Sequence, residues 1–154
     1  MAKNITIALI GCAKRKHVIR DYARARDLYD SDLFRKRVAH VENRNLPWYI
    51  LSAKSGLLSP TVQIRTYDKV ITELSGLEIA EWHVGTANQL FTELYYTFDR
   101  TELSGITVEL HAGKRYCEPL GAILKLFGVN VVKPVEGLGI GEQLAYYGRK
   151  VDAA

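Results

Sequence analysis

The stretch Trp48-Tyr49-Ile50-Leu51-Ser52-Ala53-Lys54-Ser55-Gly56-Leu57-Leu58-Ser59-Pro60 decides the fold. Its first residues are apolar without alternation, which is typical of a strand buried on both faces of a parallel sheet. They run directly into a polar turn that contains glycine. In α/β proteins such turns follow the carboxyl ends of strands, where ligands bind. The polar residues at 64–68 come soon after, so we expect their side chains to lie at the same edge.

Similar apolar runs, rich in β-branched residues, occur at 5–10, 106–110 and 129–132, and each predicts a strand. Helical spacing or capping residues predict helices between them. The predicted helices cover about 20–29, the segment after the N-cap at 30–32, about 78–98, a segment that begins at Pro119 and stops at Gly128, and the segment after 137–141. Residues 61–77 predict a loop with at most a short strand. This alternation predicts a three-layer α/β sandwich, with a mostly parallel sheet of about four strands flanked by helices.

The bulk composition predicts one globular domain over residues 1–154, because 47% of the residues are hydrophobic and 25% are charged. No apolar run approaches the roughly 20 residues of a membrane helix, and the amino terminus does not resemble a signal peptide. The two cysteines, Cys12 and Cys117, are too few for a disulfide framework. We therefore expect a cytoplasmic protein with no membrane contact. The oligomeric state stays open.

The positive charge is concentrated near one end of the chain. The net charge is +4, and the segment 14–37 holds nine basic residues against four aspartates. Such a surplus indicates an anionic partner, either nucleic acid or a nucleotide phosphate. A solvated helix face is an equally good explanation.

Four predicted turns follow the four predicted strands, at 11–16, 52–56, 111–116 and 136–141, and all of them combine glycine with polar residues. Because the carboxyl ends of parallel strands share one edge, we expect one crevice there. In the first turn Gly11 permits close backbone approach, and Cys12, Lys14 and Lys16 suit an anion site. Cys12 is alternatively a small core residue. No P-loop pattern and no paired zinc-ligand spacing is present, and we predict no cofactor or metal.

The second turn offers Ser52, Lys54, Ser55 and Gly56, which suit a phosphate or a base edge better than covalent catalysis. Tyr67 and Asp68 follow. The ring suits stacking on a base, and the carboxylate suits positioning a water molecule. A core tyrosine and a capping aspartate are the alternative.

The third turn contributes His111, Lys114 and Tyr116. His111 is a candidate acid or oxyanion donor, or else a packed imidazole. Gly139 and Gly141, together with Gly137, could hold a phosphate at a helix amino terminus, although tight packing explains them equally well.

The combination of these motifs resembles a known family. The motifs are Gly11-Cys12-Ala13-Lys14-Arg15-Lys16, Ala25-Arg26-Asp27-Leu28-Tyr29, Leu51-Ser52-Ala53-Lys54-Ser55-Gly56-Leu57-Leu58, Tyr67-Asp68, Ala112-Gly113 with Tyr116, and the glycines of 137–141. They resemble a bacterial and phage domain family of uncharacterised function, and the pattern is similar to that of the YaaA peroxide-stress protein superfamily. The resemblance covers nearly the whole chain and implies an α/β fold like that of uracil-DNA glycosylase. It also adds Tyr29 and Gly113 to the ligand-binding residues.

Two positions depart from that pattern. Ser55 stands where the family often has His, and Thr66 stands where Pro is common. If the His is catalytic elsewhere, activity here is in question.

Together these observations predict a protein that acts on nucleic acid or a nucleotide, with an N-glycosidase-like hydrolase as the favoured enzyme. Lys14, Lys16 and Lys54 would hold phosphate, and Tyr67 would stack on the base. Asp68 would position water, while His111 or Ser52 steadies developing charge. A pocket that takes a flipped base is the picture the resemblance implies. The alternative is a non-catalytic DNA-binding or nucleotide-binding protein with a stress or phage-host role.

Overall fold

The central sheet has five strands in the order β4-β3-β1-β6-β7. The computed structural model describes the backbone of residues 3–153 and the side chains of residues 3–149. Within that range the strands are β1 (Ile5–Gly11), β2 (Ala23–Arg24), β3 (Trp48–Ser52), β4 (Gly56–Leu58), β5 (Gln63–Ile64), β6 (Ile106–His111) and β7 (Asn130–Val132). The helices in the same range are α1 (Ala25–Leu28), α2 (Asp32–Asn43), α3 (Gly76–Tyr96), α4 (Lys114–Leu126) and α5 (Ile140–Ala153). None of the described helices has the length and apolar character needed to cross a bilayer.

The three-layer arrangement follows from alternation along β1. Ile7 and Leu9 belong to a core with α3 and α4, whereas Ala8 and Ile10 belong to a second core with α2. All four side chains are fully buried, as expected for a strand covered by helices on both faces. The α/β class and the mostly parallel sheet are therefore confirmed.

The prediction of about four strands is wrong, because the sheet has a fifth strand that runs antiparallel. After Ser52 the chain reverses within three residues, and β4 pairs with β3 in the register Ser52 to Gly56. Gly56 has a φ of +71°, and a Cβ there would lie 2.9 Å from the hydroxyl of Thr86. Glycine therefore permits both the reversal and the close approach of α3.

Two other local predictions are corrected. The segment 20–29 is not one helix, because β2 occupies Ala23–Arg24 and α1 is a single short turn. Strands β2 and β5 instead pair with each other and form a small, separate antiparallel sheet. α4 begins at Lys114, five residues before the predicted start at Pro119. By contrast, Ser31 caps α2 as predicted, since its hydroxyl accepts from the backbone N–H of Phe34.

Candidate functional site

The carboxyl ends of β3, β1 and β6 lie side by side. Gly11 pairs with Leu51 of β3, and Ile10 pairs with His111 of β6. The chain moves outward from β1 in one direction through β3 and in the other through β6 and β7. Such a switch point opens a crevice where ligands bind in open α/β sheets. A single crevice shared by the four turns, as predicted, would be centred on the end of β1.

A chain of three hydroxyl groups lies on the β3 side of this crevice. The hydroxyl of Tyr67 shares hydrogen bonds with the hydroxyl of Tyr29 at 2.6 Å and with Ser52 Oγ at 2.9 Å. Ser52 Oγ also accepts from the backbone N–H of Ser55 at 3.2 Å. Ser52 and Tyr29 are buried, and Tyr67 is partly exposed. We call Tyr29, Ser52 and Tyr67 the hydroxyl cluster.

The phenols of the hydroxyl cluster stay protonated near neutral pH. Burial raises the pKa of Tyr29 to about 12. Burial also raises the pKa of Tyr67, well beyond the usual range of a phenol. Both groups are therefore neutral hydrogen-bond donors and acceptors, and neither is an activated nucleophile.

Two lysines lie beside the ring of Tyr67. The ammonium of Lys16 is 4.3 Å from the ring centroid, and that of Lys54 is 5.8 Å away. Lys16 also donates to the carbonyl of Lys14 at 2.9 Å. Burial lowers the pKa of Lys16, against the influence of Cys12 and Asp68, which favour its charged form. Asp68 is thus close enough to act electrostatically on Lys16.

The turn after β1 meets the turn after β6 through one side-chain contact. Cys12 Sγ lies 3.3 Å from the hydroxyl of Tyr116. The Tyr116 ring packs edge-on against Trp82, whose indole N–H donates to the carbonyl of Ser52 at 2.8 Å. Burial raises the pKa of Tyr116 as well. A continuous set of side chains therefore links the ends of β1, β3 and β6.

A small pocket of about 260 Å³ opens next to the hydroxyl cluster. Lys54, Ser55 and Tyr67 line it together with Tyr22 and Arg65. The guanidinium of Arg65 lies 4.9 Å from the centroid of the Tyr22 ring. Sequence reasoning missed Tyr22 and Trp82, and it expected Arg65 at this edge without giving it a role. The basic residues Arg24 and Arg26 close to Tyr22 were the signal that could have indicated that tyrosine.

His111 lies outside this group. Its side chain is fully buried; Nε2 is 2.8 Å from Glu109 Oε1, and Nδ1 is 2.8 Å from the hydroxyl of Tyr147. Burial lowers the pKa of His111, against the pull of Glu109, so the ring is neutral at pH 7. The Nε2–H then donates to the carboxylate, and Nδ1 accepts from Tyr147.

Glu109 and His111 also form, with His40, a group of potential metal ligands. Their ligand atoms lie within 4.8 Å of one another. However, Arg44 already holds Glu109 with a two-pronged ion pair at 2.7 and 2.8 Å, and its Nη1 is 3.1 Å from His40 Nε2. The guanidinium thus occupies the position of a cation, and a metal could bind only if Arg44 moved away.

The glycines predicted as ligand-binding residues divide between two places. Gly11 ends β1, and Gly56 begins β4, where it pairs with Ser52 of the hydroxyl cluster. Gly113 and Gly139 line a separate, larger cavity of about 480 Å³. Gly141 lies in the first turn of α5. The structure therefore gathers most predicted residues of the first two turns, and it puts the glycines of the last two turns at a neighbouring cavity.

Residues 7–149 match the family of unknown function DUF6884. The chain belongs to that family. Neither curated proteins nor solved structures gave a match to the chain.

Proposed function

We propose that this DUF6884 protein binds a nucleotide or nucleic acid at the hydroxyl cluster and hydrolyses an N-glycosidic bond there. One observation carries the proposal. The Tyr67 hydroxyl is fixed by Tyr29 and Ser52 at the sheet edge, with the Lys16 ammonium 4.3 Å from its ring. This arrangement joins neutral donors, which suit a base edge, to a positive charge, which suits a phosphate.

The reaction needs no covalent nucleophile from the protein. Water attacks the anomeric carbon, the electrons of the carbon–nitrogen bond pass to the base, and the base takes up a proton. Asp68 would orient the water and accept its proton, and a phenol of the hydroxyl cluster would donate a hydrogen bond to the departing base, which takes its proton from solvent. The raised pKa values of Tyr29 and Tyr67 support this role, because donors must keep their protons.

The geometry modifies two expected roles. The Lys16 ammonium already lies against the Tyr67 ring, so a base would stack there only after Lys16 turned towards a phosphate. His111 stays a predicted catalytic residue, but both of its ring nitrogens are engaged in the interior. It would act through the position of β6 and its turn. The resemblance to the YaaA superfamily also stays a prediction.

A base-release assay tests the catalytic claim. The protein is incubated with single-stranded and double-stranded DNA that carries normal or modified bases, and with free nucleotides. Abasic sites and free bases are then measured. We expect release that is lost in Asp68→Asn, while Asp99→Asn, a change in the loop after α3, keeps it. Binding of DNA without release of any base would overturn the enzymatic claim.

A non-catalytic nucleotide-binding or DNA-binding protein is the second candidate. It is favoured by the raised pKa values of Tyr29 and Tyr67, because phenols that hold their protons so firmly bind a ligand without transferring a proton to it. Replacing Lys14 and Lys16 with Met should weaken DNA binding and reduce the slope of log affinity against log salt by about 2. The matched pair Lys3→Met and Lys125→Met carries the same charge change at other sites. If both double variants lost the same amount of DNA affinity, only the net charge of the protein would matter for binding, not the turn that holds Lys14 and Lys16.

A cytoplasmic location is part of the same proposal. Cys12 and Cys117 are both free thiols, which suits a reducing compartment where nucleotides are abundant.

A further inference from the structure

A second cavity, separate from the hydroxyl cluster, takes no part in the proposed reaction. It has a volume of about 480 Å³ and lies where the turns after β6 and β7 meet the first turns of α4 and α5. Gly113, Gly137 and Gly139 form part of its wall. A Cβ at Gly113 or Gly137 would meet no atom within 4 Å. The backbone there is open to a ligand.

Lys133 is held in the cavity wall. Its side chain is only 18% exposed, and its ammonium is 4.0 Å from Glu136 Oε1. The stem of Lys133 crosses α4 at Gly121, where a Cβ would lie 3.2 Å from Lys133 Cε and 3.6 Å from Nζ. Glycine at position 121 therefore makes room for the lysine. A lysine packed in this way has lost much of its water and gains from an anionic partner.

A second cation, Arg37, does not line the cavity but is buried behind Gln143, which does. It is 6% exposed, and its Nη2 donates to Gln143 Oε1 at 2.6 Å. Gln143 lines the cavity and donates in turn to the carbonyl of Leu138. Arg37 Nε has no partner. Among the side chains of residues 3–149, no carboxylate forms an ion pair with Arg37.

A buried guanidinium without a counter-ion is costly, because arginine does not lose its proton in proteins. Burial lowers the pKa of Arg37, yet the group stays charged. An anion in the neighbouring cavity would offset that cost. Arg37 is thus an observation independent of the helix ends.

The first turn of α4 also favours an anion in this cavity. α4 begins after Gly113, which has no side chain to cap the first turn. Gly113 and Lys114 both line the cavity, so this uncapped helix start lies at its edge. At α5 the N–H of Gly139 already donates to Glu142 Oε1 at 3.2 Å. The start of α4 is therefore the better place for an anion.

We propose that this cavity binds a phosphate group, held by Lys133 and the first turn of α4, with the charge of Arg37 behind it. Lys114 and Lys133 are paired with Glu118 and Glu136 at 3.7 and 4.0 Å. These long pairs give way to a phosphate dianion, which binds lysine more strongly. Assigning the phosphate to a nucleotide rests on the proposed function, whereas the phosphate site itself does not.

Titration of the isotope-labelled protein with inorganic phosphate, followed by NMR of the backbone amides, tests the site. Potassium chloride at matched ionic strength is the reference. We expect saturable shifts at Gly113, Lys114 and Lys133, and affinity about tenfold weaker in Lys133→Met, as for the loss of one charged hydrogen bond. Gly121→Ala should weaken binding several-fold without changing any charge. Lys125→Met, a matched change at the far end of α4, should bind as the wild type does.

The proposal would be overturned by shifts that do not saturate, by shifts equal to those with chloride, or by equal weakening in Lys125→Met. Shifts confined to residues 11–16 would do the same, since they would put the phosphate at the other turn. If Lys133→Met does not fold, Gly121→Ala decides the matter. A second titration with a nucleoside 5′-monophosphate and the matching nucleoside tests the nucleotide assignment. If the nucleoside monophosphate binds no more tightly than inorganic phosphate, the assignment to a nucleotide is refuted, but the phosphate site is not.

Discussion

The hydroxyl oxygen of Tyr67 lies 2.6 Å from that of Tyr29, although the two residues are 38 positions apart in the chain. Tyr67 belongs to a segment, 65–70, in which the structure has no helix or strand. Its position therefore depends on side-chain hydrogen bonds to Tyr29 and Ser52. The shape of the crevice and the stability of this segment are linked through one hydroxyl group.

Tyr67→Phe should lower the free energy of unfolding by about 1–2 kcal/mol, because the buried hydroxyls of Tyr29 and Ser52 each lose a hydrogen bond, although Ser52 keeps the one from the N–H of Ser55. Urea unfolding measures the change. Tyr95→Phe is the control, since Tyr95 is 54% exposed and should change stability by less than about 0.5 kcal/mol. Tyr67→Phe, unlike Tyr95→Phe, should also lose the release of free base. Unchanged stability in Tyr67→Phe would show that the hydroxyl cluster does not position the segment.

Acid should destabilise the protein through Glu109 and His111. Burial raises the pKa of Glu109, but hydrogen bonds from His111 and Arg44 outweigh it and bring the pKa to about 2, from an ordinary 4.5. A carboxyl whose pKa is lowered in the folded state stabilises the protein above its unfolded pKa, and this stabilisation is lost as the pH falls towards 2. His111 acts in the same direction, because its buried neutral ring has a lowered pKa. The loss should therefore begin near pH 6 and deepen below pH 4.5.

Glu109→Gln should lower the stability at pH 7 by about 2 kcal/mol, less than a fully buried pair would give, because Arg44 is partly exposed. It should also flatten the dependence of stability on pH between 5 and 3. Thermal or urea unfolding at several pH values measures both effects. Glu118→Gln, an exposed change on α4, should leave the pH profile unaltered. A variant profile as steep as that of the wild type would contradict the assignment to Glu109.

The layered α/β fold could be predicted because β1, β3 and β6 carry continuous apolar runs that end at glycine or polar turns. β4 was missed because Gly56–Leu58 is only three residues long, and nothing local distinguishes its pairing from a loop. The predicted helix at 20–29 failed for a related reason. Its short strand at Ala23–Arg24 forms only by pairing with Gln63–Ile64, a contact between distant segments that helical periodicity does not reveal.

In the candidate site, too, features set by the local sequence could be predicted, whereas features that depend on distant contacts could not. The proximity of Cys12, Lys16, Ser52 and Tyr67 could be predicted, because the carboxyl ends of neighbouring parallel strands share one edge, whereas their roles stay predictions. His111 is the last residue of β6, and its ring points inward, where Glu109 and Tyr147 bind it. Which face such a residue takes depends on the helices that cover the sheet, and α5 covers this one.

Gly11→Ala should destabilise the protein, because it adds a side-chain atom where the ends of β1 and β6 lie close together. A Cβ at position 11 would lie 2.9 Å from Ala112 Cβ and 3.3 Å from Ala112 Cα, so the ends of β1 and β6 would have to separate. We expect a loss of about 1–3 kcal/mol in stability, as for other overpacked core positions. The contact between Cys12 and Tyr116, which spans the same two turns, should weaken as well.

Ala112→Gly in the same chain removes one of the two crowding atoms and should recover part of that loss. A double-mutant cycle measured by urea unfolding gives the coupling energy, expected to be about 0.5–2 kcal/mol in favour of the double variant. Ala112→Gly alone is the reference for the cost of added backbone freedom. Strictly additive effects would mean that the two turns do not constrain each other, and that the crevice is wider in solution than the contact of Gly11 with Ala112 implies.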